Sequence, residues 1–445
     1  MKEKIMKFLV VFFMTLTFVN VLLPDEFVIG ILKLPYRANA FEMIIRWFNF
    51  VGFITLPVAV FFKRDTFKKI AVYFCLPVLI IFTFMFPIMI KGFTSELGTG
   101  IVDMRILPEV VKLFMRNEMF RTIMFFSMVL SELLVIILLI ASDKESLRFK
   151  KKEFGSFMLV LICLIVAIMP IYALETIFNT HTDLIFLRFS WMHLVWIGFL
   201  ILEAITLCLI FRKRSEEDRY ILVLVLSLCL LIQYNQLFSS LGEVSIERLP
   251  FMLCNVAAYV TCISIAFKNR GLYLFNILVN VVGGIIALIV LDVETPNGIM
   301  GMLSKDNIHY IVEHNNVILI PILCLVLRVF KPLKKEDIKT FVLYFSIYFI
   351  IAFAVGTIFN MLGKMYNDAE YYYCNYMYLF DQKTAAALIP ITEPLFDIKF
   401  EIGYATFYPI VQPAIYLLFI VLGSGSLFLF KALVKDKNII ETDLN

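Results

Sequence analysis

Long uninterrupted runs of apolar residues constrain this chain more than any other feature of its sequence. Twelve runs of roughly twenty residues are long enough, as α-helices, to cross the ~30 Å hydrocarbon layer of a bilayer. They lie at about 6–23, 43–62, 70–91, 119–141, 155–177, 190–211, 220–239, 249–267, 271–291, 315–330, 341–361 and 409–430. The runs do not alternate apolar with polar residues, which excludes a transmembrane β-barrel. The sequence therefore predicts an all-α, polytopic transmembrane helical bundle of about twelve spans.

Composition agrees with this prediction and excludes several functional classes. The chain is 61% hydrophobic and 17% charged, whereas soluble proteins are about 45–50% apolar and about 25% charged. The formal net charge of +4 gives no reason to expect a nucleic-acid partner. Seven of the eight cysteines lie in apolar runs without CxxC spacing, so we expect neither a disulfide framework nor a metal site. No cofactor motif stands in a supporting context.

Basic residues alternate between successive loops and so predict the orientation. Lysine and arginine concentrate in the segments 2–7, 63–69, 143–153, 212–219, 268–270, 328–339 and 431–437. Under the positive-inside rule these segments are cytoplasmic, which places both termini in the cytoplasm of a cell-membrane protein. The first run follows MKEKIMK without a small-residue cleavage site, so we interpret it as a retained helix rather than a signal peptide.

The two halves of the chain resemble each other in pattern. FEMIIRWFNFVGFITLPVAVFFKRDTF, from Phe41, resembles ERLPFMLCNVAAYVTCISIAFKNRGLY, from Glu247. Each is a span that ends in a short basic turn before another span. Six spans per half preserve orientation, as in the parallel repeats of many transporters. We therefore expect two six-span domains, 1–212 and 213–445, related either by a degenerate duplication or by hydropathy alone.

Polar residues within spans are costly in lipid and usually face the bundle interior. In the second half, Cys254 and His314 form the pair with evident reaction chemistry, because histidine can act as the base that activates a thiol. Both are expected early in helices that run from outside to inside. The structural alternatives are a packing cysteine and an interfacial histidine, and His309 could compete with His314. Hydrogen-bonding residues expected at a similar depth, as candidate substrate contacts, are Asn235, Asn255, Asn315, Asn360, Asn375 and Tyr376.

The first half offers ionisable residues instead of a nucleophile. Glu132 and Glu203 are predicted well inside the membrane, where a solitary carboxylate must be protonated, paired or exposed to water. They form a proton or ion path, or they join helices by pairing with Arg46 or His193; we favour the second interpretation. Gly283–Gly284 in the ninth span is expected to permit close helix packing.

Four motifs of the second half carry a family resemblance: RLPFMLCN (248–255), DVETP (292–296), EHNN (313–316) and NYMYL (375–379). In order and spacing, over roughly residues 215–380, they resemble the bacterial YwaF-type integral membrane family. That family is similar to a eukaryotic group of transmembrane proteins proposed to transfer acyl chains between phospholipids through a cysteine and a histidine. The resemblance implies that Cys254 is the acyl acceptor and His314 the base. The segment 381–408 is unusual for it, and either dips into the membrane or covers the site.

Three functions are open from the sequence. The first is a lipid-modifying thiol acyltransferase near the outer leaflet, in which Cys254 attacks a lipid ester, His314 moves the proton, and asparagine side chains stabilise the oxyanion. Membrane lipids are its predicted partners. The second is a multi-span transporter or substrate-binding permease, favoured by the spans, the repeat and the buried carboxylates. The third is a membrane scaffold. An acyltransferase predicts a site confined to the second half, whereas a transporter predicts a cavity lined from both halves.

Overall fold

A computed structural model describes residues 2–19, 40–85, 118–170, 189–237, 249–289, 294–295, 298–299, 305–367, 372–380 and 390–433. Within these residues a helix overlaps each of the twelve predicted apolar runs. The helices are α1 (Lys2–Thr17), α2 (Ala40–Phe61), α3 (Asp65–Met85), α4 (Glu118–Ser142), α5 (Glu153–Ala167), α6 (Trp191–Phe211), α7 (Glu216–Leu237), α8 (Leu253–Ala266), α9 (Arg270–Ile289), α10 (Lys305–Val326), α11 (Asp337–Tyr366) and α12 (Val411–Leu433). The prediction of a mostly helical chain is confirmed.

The lengths of these helices bear on the membrane prediction. In the described part of the chain, seven helices are long and apolar enough to cross a bilayer: α2, α3, α4, α6, α9, α11 and α12. Helices α5, α8 and α10 are apolar over shorter stretches. Since a full crossing needs about twenty residues, the helices support an integral membrane protein, while the count of twelve spans stays a prediction.

Two helix starts differ from the prediction, and both carry candidate residues. Helix α8 begins at Leu253 rather than near 249, because the preceding residues form a turn in which Phe251 N–H donates to Leu249 O (2.6 Å). Helix α10 begins at Lys305, ten residues before the predicted start. Its first turns are polar, and hydropathy detects only the apolar part of a helix. Consequently His314 lies inside α10 and not at its start.

The chain divides into two compact units. Unit 1 comprises Met1–Ile177 and Leu228–Glu243, and unit 2 comprises Phe178–Ser227 and Val244–Asn445. Helix α7 therefore contributes its first part to unit 2 and its last part to unit 1. The predicted domain boundary at 212/213 falls in the turn before α7 and stays a prediction.

In unit 1, α1 packs against α2 and α4 around buried residues such as Val10, Phe13 and Ile54. At one end of the unit, Lys68 Nζ donates to Asp143 Oδ2 (2.7 Å) and Lys69 Nζ to Glu153 Oε2 (2.5 Å). The Lys68 ammonium group holds the pKa of Asp143 below its usual value. These contacts join the segments 63–69 and 143–153, so two loops predicted to be cytoplasmic lie at the same end.

Unit 2 joins its basic loops in the same way. The Arg270 guanidinium donates to both carboxylate oxygens of Asp337 (3.1 and 2.5 Å) and to the carbonyls of Lys331 and Pro332. Arg219 Nη1 donates to Leu327 O (2.7 Å). Three basic segments therefore meet at one end of the unit, as the charge alternation predicts: 212–219, 268–270 and 328–339. That this end faces the cytoplasm stays a prediction.

The two units share an uncommon helical feature. Helix α3 changes from α- to π-helix at Ala71–Cys75, and α9 does so at Asn276–Asn280. A constant interval of 205 residues separates Phe61 from Ala266, Asp65 from Arg270, and Ala71 from Asn276. Single π-helical turns are rare and frequently mark functional sites. The constant interval favours the predicted internal repeat.

Two short antiparallel hairpins depart from the all-α prediction. Strand β1 (Glu294–Thr295) pairs with β2 (Gly298–Ile299), and β3 (Phe400–Ile402) pairs with β4 (Ala405–Phe407). The second hairpin follows a 3₁₀ helix at Pro390–Asp397. Strand β4 packs on α11. The described part of the unusual segment 381–408 therefore includes a hairpin that lies against this helix. Across the hairpin, Phe400 pairs with Phe407, and aromatic pairs of this kind stabilise neighbouring strands.

Candidate functional site

Cys254 is the second residue of α8, and a fixed turn leads into it. The carbonyl of Phe251 accepts a hydrogen bond from Tyr348 Oη (2.6 Å), which ties the turn to the middle of α11. The Phe251 ring also contacts the ring of Tyr376 (centroids 5.4 Å apart). Met252 then takes an extended conformation as N-cap, without a side-chain cap. Tertiary contacts rather than a local capping motif therefore fix the position of the thiol.

The start of α8 makes one electrostatic contribution that favours a thiolate. The first backbone hydrogen bond of α8 runs from Val256 N–H to Met252 O (2.9 Å). The amides of Leu253, Cys254 and Asn255 precede it and have no acceptor within the helix. The positive end of the helix dipole consequently lies at the sulfur, where it stabilises negative charge.

His314 faces this thiol from α10. The distance from His314 Nε2 to Cys254 Sγ is 3.1 Å, and Nδ1 lies 2.6 Å from Tyr310 O. Because a carbonyl oxygen only accepts, Nδ1 carries the ring hydrogen and donates it to Tyr310 O. The lone pair of Nε2 then points at the sulfur. This is the tautomer that can take a proton from a thiol.

The imidazole is held on its other sides as well. The Tyr310 ring packs on it with centroids 4.1 Å apart, and Tyr310 Oη donates to Ala287 O of α9 (2.7 Å). At Gly284 of α9, an added Cβ would lie 3.0 Å from Ile318 Cγ1 and 3.7 Å from His314 O, whereas Gly283 has open space. The expected close packing is thus confirmed at Gly284, and it sets the position of the helix that carries the histidine.

The two reactive groups lie at the same depth. Cys254 is twelve residues from the end of α8 at Ala266, and His314 is twelve residues from the end of α10 at Val326. At 1.5 Å per residue, each lies ~18 Å from the helix end that leads to a basic loop. If that end stood at one face of a bilayer, the pair would lie just beyond the middle of a ~30 Å hydrocarbon layer.

Three residues that lie at this site were not predicted to have a role in it. Tyr310 is one helical turn before His314, a spacing that makes contact on a helix predictable. Tyr348 carries a hydroxyl group inside a predicted span, and this polar group is the sequence feature that could have identified it. Glu313 is 5% exposed and lies close enough to Cys254 to affect its charge. An ionised carboxylate there would oppose a thiolate, whereas a neutral carboxyl group would not.

The six candidate substrate contacts separate into groups. Asn255 and Asn315 directly follow Cys254 and His314, and both are half-buried. Asn315 Oδ1 has no hydrogen-bond partner within the described residues. Asn235 belongs to unit 1, where its side chain donates to Leu231 O of its own helix (2.6 Å). A role for these residues with substrate stays a prediction.

The other three candidates organise the segment after α11. Asn360 Nδ2 donates to the carbonyls of Gly356 (3.0 Å) and Cys374 (2.8 Å), and Asn375 Oδ1 accepts from Phe380 N–H (2.8 Å). Asn360 also lines a pocket of about 210 Å³ together with Thr357, Gly363, Lys364, Tyr373, Phe380, Tyr404, Thr406 and Tyr408. Tyr376 is fully buried. Through Tyr376 this segment supports the turn before Cys254.

The ionisable candidates of the first half do not form the favoured ion pairs. His193 Nδ1 accepts from Phe189 N–H (3.0 Å), so Nε2 donates to Leu288 O (2.6 Å) and joins α6 to α9. Glu203 is exposed on α6. Glu132 is buried without a hydrogen-bond partner among the described residues. Pairing with Arg46 or His193 is therefore wrong for Glu132, because neither of its carboxyl oxygens has a hydrogen-bond partner among the described residues. The side chain of His309 lies outside the described residues.

Comparison with known proteins locates the chain in a family. The model of the TMEM164 family, a transmembrane family, matches residues 188–424. No curated protein and no solved structure gives a match. The matched range is more than half of the 445 residues and includes both Cys254 and His314. The chain belongs to the TMEM164 family.

Proposed function

We propose that this protein is an integral membrane thiol acyltransferase acting on membrane lipids, with Cys254 as nucleophile and His314 as general base. The observation that carries the proposal is the 3.1 Å contact between His314 Nε2 and Cys254 Sγ, with Nδ1 committed to Tyr310 O. A cysteine that only packs needs no imidazole lone pair directed at its sulfur. The arrangement is that of an activated nucleophile: a base faces the thiol, and a third group orients the base.

The first half-reaction forms a thioester. His314 Nε2 takes the Cys254 proton, and the thiolate attacks the ester carbonyl of a glycerophospholipid. The tetrahedral intermediate collapses by breaking the bond between the carbonyl carbon and the glycerol oxygen. The imidazolium gives its proton to that oxygen, so a lysophospholipid leaves and the acyl chain stays on Cys254.

The second half-reaction transfers the chain. The hydroxyl group of another lysolipid gives its proton to Nε2 and attacks the thioester carbonyl. The carbon–sulfur bond breaks, and the imidazolium returns the proton to the departing thiolate. One ester has been exchanged for another, and both the histidine and the cysteine are regenerated.

The oxyanion of each tetrahedral intermediate needs donors close to Cys254. The amides of Leu253 and Cys254 at the start of α8 supply them, in the manner of other helix N-termini that stabilise anions. The side-chain amides of Asn255 and Asn315 are further candidates. This proposal gives α8 two tasks, since the same end of the helix favours the thiolate and the oxyanion.

A finer membrane arrangement belongs to the same proposal. It comprises twelve spans in a degenerate six-plus-six repeat, with both termini in the cytoplasm and the reactive pair in the outer half of the cell membrane. Support comes from the basic loops grouped at one end of each unit and from the constant 205-residue interval. The resemblance to the YwaF-type family supports the acyl-transfer chemistry of unit 2.

The test is to trap the thioester in purified full-length protein in lipid nanodiscs. A phospholipid with an alkyne-tagged acyl chain should label Cys254, and hydroxylamine should release the label because thioesters are sensitive to it. Cys254→Ser should give an ester that resists hydroxylamine, or no label, and Cys254→Ala should give none. Cys262→Ala is the matched control, since Cys262 lies on the same helix and is buried. Undiminished labelling of Cys254→Ala would refute the proposal.

A transporter is the second candidate function. The observation that favours it is the buried carboxyl group of Glu132 in unit 1, which has no hydrogen-bond partner in the part of the chain that the structure describes. Multi-span transporters place such groups on ion and proton paths.

A further inference from the structure

One side of α11 carries a stripe of residues that the proposed acyl transfer does not involve. Its members recur every three or four residues, so they lie along one face of the helix: Ser346, Ile350, Phe353, Thr357, Asn360 and Lys364. From Ser346 to Lys364 the stripe is ~27 Å long. On the same helix, Tyr348 supports the turn before Cys254. Tyr348 lies two residues from Ser346, about 200° around the helix, so the stripe faces away from the reactive pair.

The half of the stripe nearer the basic loops lines an apolar groove of about 430 Å³. Helix α12 contributes Tyr416 to this groove, and the β3–β4 hairpin contributes Phe400 and Phe407. The two hairpin rings stack with centroids 5.3 Å apart, and the Phe353 ring of α11 lies 6.2 Å from that of Phe407. Ile350 is 63% exposed, so the groove is open on that side. Its mostly aromatic and aliphatic lining suits a hydrocarbon chain.

The other half of the stripe lines the polar pocket of about 210 Å³. The two cavities adjoin, because the Phe380 ring of the pocket stacks on the Phe353 ring of the groove (centroids 6.0 Å apart). At the pocket, Lys364 Nζ donates to Glu401 Oε1 (2.7 Å) and to Thr406 Oγ1 (2.5 Å). The Lys364 ammonium group holds the pKa of Glu401 below its ordinary value, so this carboxyl group is ionised at neutral pH. One positive and one negative group therefore lie side by side where the apolar groove ends.

We propose that the groove and the pocket together bind one zwitterionic phospholipid, with an acyl chain in the groove and the headgroup in the pocket. Lys364 and Glu401 keep about half of their side-chain surface exposed (43% and 55%), so each has room for a second partner. Lys364 donates to the lipid phosphate, and Glu401 pairs with the ammonium group of the headgroup. An anionic lipid lacks that ammonium group and leaves Glu401 beside the phosphate, so the site prefers the zwitterionic lipid. This lipid is bound away from Cys254, and its binding does not depend on acyl transfer.

The experiment is binding of headgroup-labelled phosphatidylethanolamine to purified, delipidated full-length protein in detergent, with labelled phosphatidylglycerol as the anionic comparison. A headgroup label reports binding whether or not acyl chains are transferred. We expect saturable binding of phosphatidylethanolamine, several-fold tighter than that of phosphatidylglycerol. Lys364→Met should weaken the binding of both lipids roughly tenfold, because a charged hydrogen bond to phosphate is lost. Lys339→Met, at an exposed position near the other end of α11, is the matched control and should bind as the wild type does.

The carboxylate tests the selectivity of the site. Glu401→Gln keeps the size of the side chain and removes its charge, so it should abolish the preference for phosphatidylethanolamine over phosphatidylglycerol. A wild-type protein that shows no such preference, or that binds phosphatidylethanolamine without saturation, would overturn the proposal.

A pair of tryptophan variants tests the groove. Ile350→Trp fills the groove and should weaken the binding of both lipids. Ile347→Trp, at an exposed position of α11 that does not line the groove, should bind as the wild type does. Equal phosphatidylethanolamine binding by the two variants would overturn the proposal. A wild-type dimer that Ile350→Trp converts to a monomer would also overturn it, because a second copy of the chain would then cover the groove.

Discussion

Units 1 and 2 each bury polar side chains on neighbouring helices, yet the chemistry differs. Asn49 is twelve residues from the end of α2, as Cys254 is twelve residues from the end of α8. Across from them, Glu132 lies ten residues from the end of α4, and His314 lies twelve from the end of α10. In unit 2 a base faces a thiol across the helix contact, whereas in unit 1 a carboxyl group lies against the backbone at Gly52. Buried polar groups therefore form a reactive pair in one unit and a close helix contact in the other.

The largest expected effect tests whether unit 2 holds an activated thiol. His314→Gln keeps a hydrogen-bonding side chain but removes the base, so acyl transfer should slow by about 10²–10⁴-fold. The measurement is the rate of alkyne-acyl transfer between lipids, with thermal unfolding as a check on folding. Glu203→Gln serves as the matched control. If His314→Gln transferred acyl chains at a rate within threefold of wild type, His314 would not be the base. The chemical contrast between the two units would then be lost.

The next effect tests the close packing that positions the histidine. Gly284→Ala should push against Ile318 and shift α10 away from Cys254, because the new Cβ would lie only 3.0 Å from Ile318 Cγ1. A displacement of about 1 Å can cost roughly 10²-fold in rate. Gly283→Ala is the control, since nothing lies within 4 Å of its added Cβ. Equal transfer rates for the two variants would contradict the positioning role.

A parallel substitution in unit 1 should act on the stability of the protein. Gly52→Ala forces a methyl group into the carboxyl group of Glu132, and overpacking of this kind costs about 1–3 kcal/mol. We expect a lower unfolding temperature, with acyl transfer as a further readout. Gly155→Ala in α5 meets open space and should leave both unchanged. A Gly52→Ala protein as stable as wild type would show that α2 and α4 adapt at this contact.

Removal of one hydroxyl group tests how firmly the turn before Cys254 is held. Tyr348→Phe loses the hydrogen bond to Phe251 O, which should cost about 0.5–1.5 kcal/mol of stability. A looser turn should also reduce acyl transfer, by about tenfold if the loss falls entirely on the reactive geometry. Tyr366→Phe, at an exposed position, is the control. An unchanged rate of acyl transfer would mean that the turn does not control the geometry of the reactive pair.

The smallest effect concerns the ion pairs that join the basic loops. Asp143→Asn should cost less than about 1 kcal/mol, because Asp143 is 40% exposed and solvent screens its pair with Lys68. The folded pKa of Asp143 is lowered from 3.8. Its contribution is therefore full above pH 3.8 and disappears as the pH falls through the folded pKa. Unfolding curves of wild type and variant should converge there, and a constant difference down to lower pH would argue against an ion-pair effect.

The sequence predicted the helices because length and apolarity are properties of each segment alone. It also predicted that Cys254 and His314 share a depth, since polarity inside a span marks the bundle interior. It could not predict that Tyr348 supports the turn at Phe251, because that contact joins residues 97 positions apart through a backbone carbonyl. The same limit applies to Glu132: its burial followed from hydropathy, but only packing decides that Gly52, and not Arg46, lies against it.

The depth of the thiol has a consequence for the fate of an acylated intermediate. At ~18 Å along helices α8 and α10, a thioester on Cys254 would form where bulk water is scarce. Exclusion of water suppresses hydrolysis of reactive intermediates. A lipid hydroxyl that approaches from within the bilayer would then be the better acceptor, so burial itself would favour transfer of the chain over release of a free fatty acid.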